Sequence, residues 1–148
     1  MGADGFAFER HPTRELERFP HLGGVKLGDN VEICANTNIA LGSLSDTIIG
    51  DGTKIDAMVQ MAHNIVIGTN CEVTTGTIIG GSTSIGNMCW TRLNSTLKDD
   101  IKIGNNAAGA VVIHDVQDGD IVAGVPAKSI KEKISSDLLF LMSGQKKK

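Results

Sequence analysis

Hydrophobic residues recur every six positions through the middle of the chain. One series is aliphatic or Met at nine of its ten positions: Ile49, Ile55, Met61, Ile67, Val73, Ile79, Ile85, Thr91, Leu97 and Ile103. A second series, two residues earlier in each repeat, is small or β-branched: Thr47, Thr53, Val59, Ile65, Cys71, Thr77, Thr83, Cys89, Ser95 and Ile101. A period of six fits neither an α-helix nor a simple alternating strand, and it is typical of a parallel β-helix. Both series are therefore expected to point into the core.

The period also predicts how the coils stack. Three repeats make one triangular coil, so residues that are three repeats apart should lie one above the other, about 4.8 Å apart. Gly often follows the aliphatic residue, at a corner where a positive φ costs Gly or Asn least. The phase continues upstream through Leu27, Ile33 and Ile39. The step from Ile39 to Ile49 is four residues too long, which predicts a corner insertion at 41–44.

Two segments leave the repeat. Residues 9–22 break the pattern and are expected to form an excursion loop within a β-helix domain that covers residues 1–128. The remaining residues, 129–148, have apolar side chains four apart: Ile130, Ile134 and Leu138. This spacing predicts a short C-terminal α-helix followed by a basic tail. The fold class expected is all-β, a triangular β-helical prism with one short helix.

Composition narrows the classes of function. The 148 residues carry 14 Lys and Arg against 17 Asp and Glu, a net charge of −3. This balance argues against a nucleic-acid partner, which a strongly basic surface would favour. The chain has no apolar run long enough to span a membrane and no basic-then-apolar start, so we expect no transmembrane segment and a cytoplasmic location.

The cysteines do not indicate a metal centre. There is no Cys-x-x-Cys, so no zinc knuckle is expected and no metal site is assigned. Cys71 and Cys89 stand three repeats apart at the small inward position, which predicts stacked, buried and unreactive thiols. A β-helix of this length leaves flat faces open, and burying them against copies of itself predicts a homotrimer.

Two motifs are more specific than the repeat. Residues 4–8 read Asp-Gly-Phe-Ala-Phe, and Ile55-Asp56 is followed in register by Gln60-Met61-Ala62-His63-Asn64. From Gly2 to about Asn105 the chain resembles the left-handed β-helix hexapeptide acyltransferases, in particular the nucleotide-sugar N-acyltransferases of lipid A biosynthesis. The resemblance implies a left-handed coil. It also implies transfer of an acyl group from a thioester to the amine of an amino sugar.

The resemblance also assigns roles to residues. His63 is implied as the general base, and Asp56 as the carboxylate that holds its imidazole. The residue types suit the chemistry, because His accepts a proton near neutral pH and a carboxylate fixes its orientation. Asp46, Asn64 and Asp100 are the candidate substrate-binding residues. Asp46 and Asn64 have an equally good explanation as caps of turns.

Two glycine-containing segments are candidates for the donor site. Gly81 lies one predicted coil above His63, with Gly80 beside it. The missing side chains should leave a groove where a backbone N–H meets the thioester oxygen. The second segment resembles the closing loop of acetyl-CoA-dependent hexapeptide acetyltransferases, which implies contacts with the donor from four residues: Gly124, Pro126, Ala127 and Lys128. A plain exit of the chain from the β-helix explains the same loop.

The chain departs from the pattern of these N-acyltransferases in three places. Asp100 stands where they have a second histidine, and Ala40-Leu41 stands where they have Asp-Arg. They also carry a separate N-terminal domain that helps to hold the uridine, whereas this sequence starts directly at the β-helix. The other histidines, His11, His21 and His114, have no supporting pattern, which also disfavours an interfacial metal enzyme.

Three functions follow from these observations. The first is an N-acyltransferase that acts on an amino sugar, expected to be nucleotide-linked. Its co-substrate is acyl-CoA or an acyl carrier protein thioester, with no tightly bound cofactor. The second is an acetyl-CoA-dependent sugar O-acetyltransferase. The third is a non-catalytic β-helix scaffold.

Overall fold

A computed structural model describes residues 1–131, and strands account for nearly all of their regular structure. In chain order the strands are β1 (Phe8–Arg10), β2 (Leu16–Arg18), β3 (Val25–Leu27), β4 (Glu32–Ile33), β5 (Asn38–Ile39), β6 (Thr47–Ile49), β7 (Lys54–Ile55), β8 (Gln60–Met61), β9 (Val66–Ile67), β10 (Glu72–Val73), β11 (Ile78–Ile79), β12 (Ser84–Ile85), β13 (Trp90–Leu97), β14 (Lys102–Ile103), β15 (Ala108–Val112), β16 (Val122–Gly124) and β17 (Ala127–Ser129). The all-β prediction is confirmed. Ser129, where the C-terminal helix was predicted to begin, ends β17 instead, and most of that helix, with the basic tail, lies outside the described residues.

The strands stack in parallel on three faces. Face A contains β4, β7, β10 and the first halves of β13 and β15. Face B contains β5, β8, β11 and the second halves of β13 and β15, and face C contains β3, β6, β9, β12 and β14. Glu72 pairs with Trp90 on face A, and Ile78 pairs with Thr96 on face B. Partners are thus three repeats apart, which confirms the parallel β-helix.

Both inward series form the core. Every member is at most 9% exposed, and even the exception in the pattern, Thr91, is only 7% exposed. The hydroxyl groups of Thr53, Thr77 and Thr83 donate to backbone carbonyls, as Thr53 does to Gly68 at 2.9 Å. The two buried thiols do the same, since Cys71 Sγ lies 3.0 Å from the Gly86 oxygen and Cys89 Sγ lies 2.9 Å from the Gly104 oxygen. The adjacent Cys71 side chain and burial raise the pKa of the Cys89 thiol.

The corners need left-handed backbone, but not at the glycines that the sequence suggested. The residue three positions after the aliphatic one has φ between 54° and 58° at Met58, Asn64, Asn70, Met88 and Asn106, and Asn tolerates this region better than most residues. The glycine directly after the aliphatic residue serves close approach instead. A Cβ added to Gly50 would lie 2.7 Å from the backbone carbonyl of the glycine one coil above.

Four extra residues enter the β-helix between faces B and C. On face C, Ile48 pairs with Val66 at the regular spacing of three repeats, whereas Val25 pairs with Thr47, at a spacing longer by the length of the insertion. The extra length falls between β5 and β6, and it leaves the ladders on either side in register. The excursion contains the antiparallel hairpin of β1 and β2. An isolated bridge between Ala3 and Ala40 ties the N-terminal segment to the start of the insertion.

Candidate active site

One corner of the prism carries most of the residues singled out in the sequence. Corner BC is the set of turns that lead from face B to face C, namely residues 40–46, 62–65, 80–83 and 98–101. Stacking brings the following candidates to it: Asp46, His63, Asn64, Gly80, Gly81 and Asp100. A groove along this corner would therefore run past His63 from one coil to the next.

Asn64 orients the His63 ring. Its Oδ1 lies 3.0 Å from His63 Nδ1 and also accepts hydrogen bonds from the Ser43 backbone N–H and hydroxyl, at 3.0 and 2.6 Å. Its amide nitrogen donates to the Ser45 carbonyl and hydroxyl, at 3.0 and 2.7 Å, so the amide group has only one consistent orientation. Because Oδ1 can only accept, a neutral His63 carries its proton on Nδ1 and leaves Nε2 as the basic nitrogen.

Glycines flank the His63 ring on two sides. A methyl group built on Gly81 would lie 2.8 Å from His63 Cε1 and 2.9 Å from Nε2. On the other side, a methyl group on Gly5 would lie 2.9 Å from His63 Cβ and 3.2 Å from Cδ2. Any larger residue at either position would displace the ring, so the free space beside Nε2 depends on Gly81.

Asp46 and Asp100 occupy corner BC in different ways. Asp46 Oδ1 accepts from the Gly24 backbone N–H at 2.7 Å, and Oδ2 forms a 2.6 Å ion pair with Lys26. The Lys26 ammonium and the Gly24 N–H lower the pKa of the Asp46 carboxyl, whose main contacts are thus structural. Asp100 is exposed, and its backbone N–H donates to the Gly81 carbonyl at 2.9 Å. Its side chain therefore lies at the open edge of the corner, in the coil above Gly81.

Asp56 lies on a different corner. Its turn leads from face A to face B, and this set of turns is corner AB. One carboxylate oxygen accepts from the Ala57 backbone N–H at 2.8 Å, and the other accepts from the backbone N–H and the hydroxyl group of Thr75. The Thr75 hydroxyl and the Ala57 N–H lower the pKa of Asp56. Within one chain the structure does not bring Asp56 to His63.

The C-terminal candidate loop also lies away from corner BC. Gly124 and Ala127 are paired at the end of the antiparallel hairpin of β16 and β17, so Val125 and Pro126 form its turn. Gly124 has φ of 98°, a conformation that favours glycine. Lys128 is exposed on β17 and pairs with Ala123. The hairpin stands at the end of the β-helix, beyond the last full coil.

One residue beside His63 has no periodic signal in the sequence. The ring of His21 packs edge-to-face against that of His63, with 6.0 Å between ring centroids and an interplanar angle of 68°. His21 lies outside the six-residue repeat, so no periodic signal shows where its segment runs.

Within the described residues, no group of three or more His, Cys, Asp or Glu side chains is arranged to hold a metal ion. Over the same residues no helix is long and apolar enough to cross a membrane.

The stacked repeats and the corner histidine define a hexapeptide-repeat β-helix protein. Residues 46–81 match the family described as bacterial transferase hexapeptide (six repeats). Over 134 residues the chain is 37% identical to UDP-3-O-acylglucosamine N-acyltransferase of Methylorubrum extorquens (strain PA1). The aligned residues cover 88% of this chain and 38% of that protein. The chain is 47% identical over 92 residues to the protein of the same name from Bordetella parapertussis. This alignment covers 60% of this chain and 25% of that protein.

The resemblance to hexapeptide acyltransferases is thus confirmed, although the chain spans only about a quarter to two fifths of the length of these relatives. A solved structure shares the fold. It is an S84C mutant of AntD, an N-acyltransferase from Bacillus cereus, in complex with dTDP-4-amino-4,6-dideoxyglucose and coenzyme A. It has a TM-score of 0.54 and 18% sequence identity, over 72% of this chain and 82% of that one.

Proposed function

We propose that this chain transfers an acyl group from a thioester to the amine of an amino sugar, with His63 as the general base. The observation that carries the proposal is the state of the His63 ring. Asn64 Oδ1 holds Nδ1, so Nε2 is the proton acceptor, and Gly81 leaves open space beside it. The relatives named UDP-3-O-acylglucosamine N-acyltransferase support an amine as the nucleophile.

Acyl transfer to an amine needs one proton acceptor and one hydrogen-bond donor to the oxyanion. The amine attacks the thioester carbonyl carbon while His63 Nε2 removes a proton from the nitrogen. Asn64 Oδ1 accepts from Nδ1–H throughout and so stabilises the imidazolium that forms. Collapse of the tetrahedral intermediate breaks the carbon–sulfur bond, and the leaving thiolate recovers the proton from the imidazolium. The products are an amide and a free thiol.

A backbone N–H at corner BC is suited to the oxyanion. The Gly80 N–H donates to the Leu97 carbonyl and the Ser82 N–H to the His63 carbonyl, so both are already engaged. The Gly81 N–H between them donates to no group among the described residues. It therefore remains available beside Nε2 for the developing negative charge.

Two exposed charged side chains suggest how each substrate would bind. An amino sugar in solution carries an ammonium group, which the exposed carboxylate of Asp100 would attract. The ammonium releases one proton to water before the neutral amine attacks, and His63 then removes the second. The relatives' name supports a nucleotide-linked sugar as acceptor. The donor is acyl-CoA or an acyl carrier protein thioester, and Lys128 on the C-terminal hairpin offers a cation to the phosphate that both donors carry.

A homotrimer would complete the site. Face C presents Ile48 and Val66 at 39% and 42% exposure, and face B presents Ile78 at 50%, so flat apolar surface is available for burial. Because Asp56 and His63 lie on different corners, only a neighbouring copy would bring an Asp56 to a given His63. There its charge would favour the imidazolium while Asn64 keeps the tautomer. We place this activity in the cytoplasm.

The first experiment measures free-thiol release from acetyl-CoA and from an acyl carrier protein thioester, with a panel of amino-sugar nucleotides as acceptors. His63→Ala is the test variant, and His114→Ala, which removes an exposed histidine far along the chain, is its matched control. We expect acceptor-dependent release that His63→Ala abolishes and His114→Ala preserves. Absence of release with every acceptor, from protein shown to be folded and trimeric, would favour the scaffold.

The O-acetyltransferase remains a second candidate because the loop with Gly124, Pro126, Ala127 and Lys128 resembles the closing loop of acetyl-CoA-dependent hexapeptide acetyltransferases. The same assay separates the two. Release that depends on a sugar hydroxyl, and persists with acceptors that lack an amine, would replace the N-acyltransferase by the O-acetyltransferase.

A further inference from the structure

His21 is held in one orientation beside the proposed base. Its Nδ1 lies 3.0 Å from the Phe19 carbonyl oxygen, which can only accept, so Nδ1 carries the proton. In the neutral ring, Nε2 is then the unprotonated nitrogen and can only accept. That nitrogen is buried and has no hydrogen-bond partner among the described residues. An unpaired buried acceptor is costly, so one placed next to a reactive residue calls for an explanation.

The unpaired His21 nitrogen and the His63 side chain lie on the same side of Gly5. A methyl group built on Gly5 would lie 2.7 Å from His21 Nε2 and 2.9 Å from His63 Cβ, so one point is within 3 Å of both residues. The edge-to-face contact of the two rings fixes their relative orientation. On its other side, His21 packs edge-to-face against Phe19, at 6.5 Å between ring centroids.

We propose that His21 is a positioning residue for His63, acting through its unprotonated Nε2, which favours the imidazolium form of His63 during proton transfer. The inference rests on the proposed function. The lone pair is the negative end of the His21 ring dipole, and burial keeps water from screening it. A proton on His21 Nε2 would find no hydrogen-bond acceptor among the described residues.

Other charged groups near the pair are largely paired with one another. The Asp46 carboxylate in the coil below is bound to Lys26. On the N-terminal side, Arg18 lies 4.0 Å from Asp4 and 3.5 Å from the Gly5 carbonyl. In the coil above Gly81 the exposed carboxylates are those of Asp99 and Asp100. The imidazole of His21 is thus the polar group in ring-to-ring contact with His63.

The test compares two substitutions of His21. His21→Phe keeps a flat ring for the edge-to-face contact and removes the lone pair, whereas His21→Gln can return an oxygen acceptor to the same space. The protonation of His63 is followed by 15N NMR of histidine-labelled protein between about pH 5 and 8, the range in which imidazoles titrate. The His63 signal is assigned from its loss in His63→Ala.

We expect the titration midpoint of His63 to move to lower pH in His21→Phe and to return towards wild type in His21→Gln. In the acyl-transfer assay, kcat of His21→Phe should fall about tenfold with little change in KM, and the acid limb of kcat/KM should shift in the same direction. An unchanged His63 midpoint in a folded His21→Phe protein would overturn the proposal. If His21→Phe fails to fold, a His21→Gln protein with a lower midpoint than wild type decides against it equally. The NMR result needs no substrate, so it stands apart from the failure of acyl transfer itself.

Discussion

Corner AB and corner BC of the same coil have nearly the same turn and very different chemistry. Each turn follows a buried aliphatic residue, and each has a left-handed residue three positions later, Met58 with φ of 57° and Asn64 with φ of 58°. At corner AB, the polar side chain of Asp56 is tied to the coil above by Thr75. At corner BC the polar anchor, Asn64, is tied to the coil below, and in the coil above Gly81 lies beside the His63 ring.

The difference shows that the turn itself does not make a residue reactive. What counts is which neighbouring coil satisfies the polar group of the turn. A threonine above Asp56 uses the carboxylate for structure, whereas a glycine above His63 leaves one ring nitrogen free. The insertion supplies Ser43, and Ser45 follows it directly, so the extra residues help to hold Asn64 beside the proposed base.

The largest effect is expected when two inactive variants are mixed. This experiment tests whether corner AB of one copy lies against corner BC of a neighbouring copy. His63→Ala and Asp56→Asn should each reduce acyl transfer, the former by roughly 100-fold or more. When the two proteins are unfolded and reassembled together at equal amounts, about a quarter of the sites in a cyclic trimer would join an intact His63 to an intact Asp56. We expect the mixture to regain activity. No gain in trimers shown to be mixed would separate the two corners functionally.

Filling the space above His63 should have the next largest effect. Gly81→Ala places a methyl group 2.9 Å from His63 Nε2, and we expect activity to fall roughly 10- to 100-fold through the misplaced base. The control is Gly24→Ala, where the nearest side-chain atom is 3.3 Å away and the ring is not touched. Equal activity of the two variants would show that the space beside Nε2 is not used.

Replacing the anchor of corner BC should affect stability and activity together. Asn64→Ala and Asn70→Ala both put Ala into a left-handed conformation, at a cost of about 1 kcal/mol each. Asn64→Ala also leaves Ser43 and Ser45 without their partner, which adds about 1–2 kcal/mol of destabilisation. Denaturant unfolding should therefore rank Asn70→Ala above Asn64→Ala in stability. Only Asn64→Ala should reduce kcat. An equal loss of kcat in Asn70→Ala would show that Asn64 has no special role in acyl transfer.

The smallest effect concerns acid stability at corner AB. The pKa of Asp56 is lowered in the folded protein by the Thr75 hydroxyl and the Ala57 N–H. Its contribution to stability is therefore full above the unfolded pKa of about 3.9 and disappears as the pH falls through the folded value. Tm measured against pH should fall less steeply below about pH 4 in Asp56→Asn than in wild type. Identical slopes would mean that these hydrogen bonds do not favour the ionised carboxylate.

Much of the fold follows from the repeat. The six-residue period identified every inward position of the two series, and the stretched step between Ile39 and Ile49 located the insertion, because strand register must be kept on all three faces. The candidate site followed less completely. Gly81 could be placed above His63 by counting three repeats, yet the same counting shows that the seven residues from Asp56 to His63 cross a whole face. His21 lay beyond reach, since no period links its segment to corner BC.

The insertion has a consequence for how such a chain can change over time. The perimeter of one coil grows by four residues, and the stacked strands before and after it keep their spacing. Lengthening a bend costs only loop entropy, which rises slowly with the number of residues added. Corner BC is therefore a position where peptide segments of different length can be exchanged while the stacked strands keep their register.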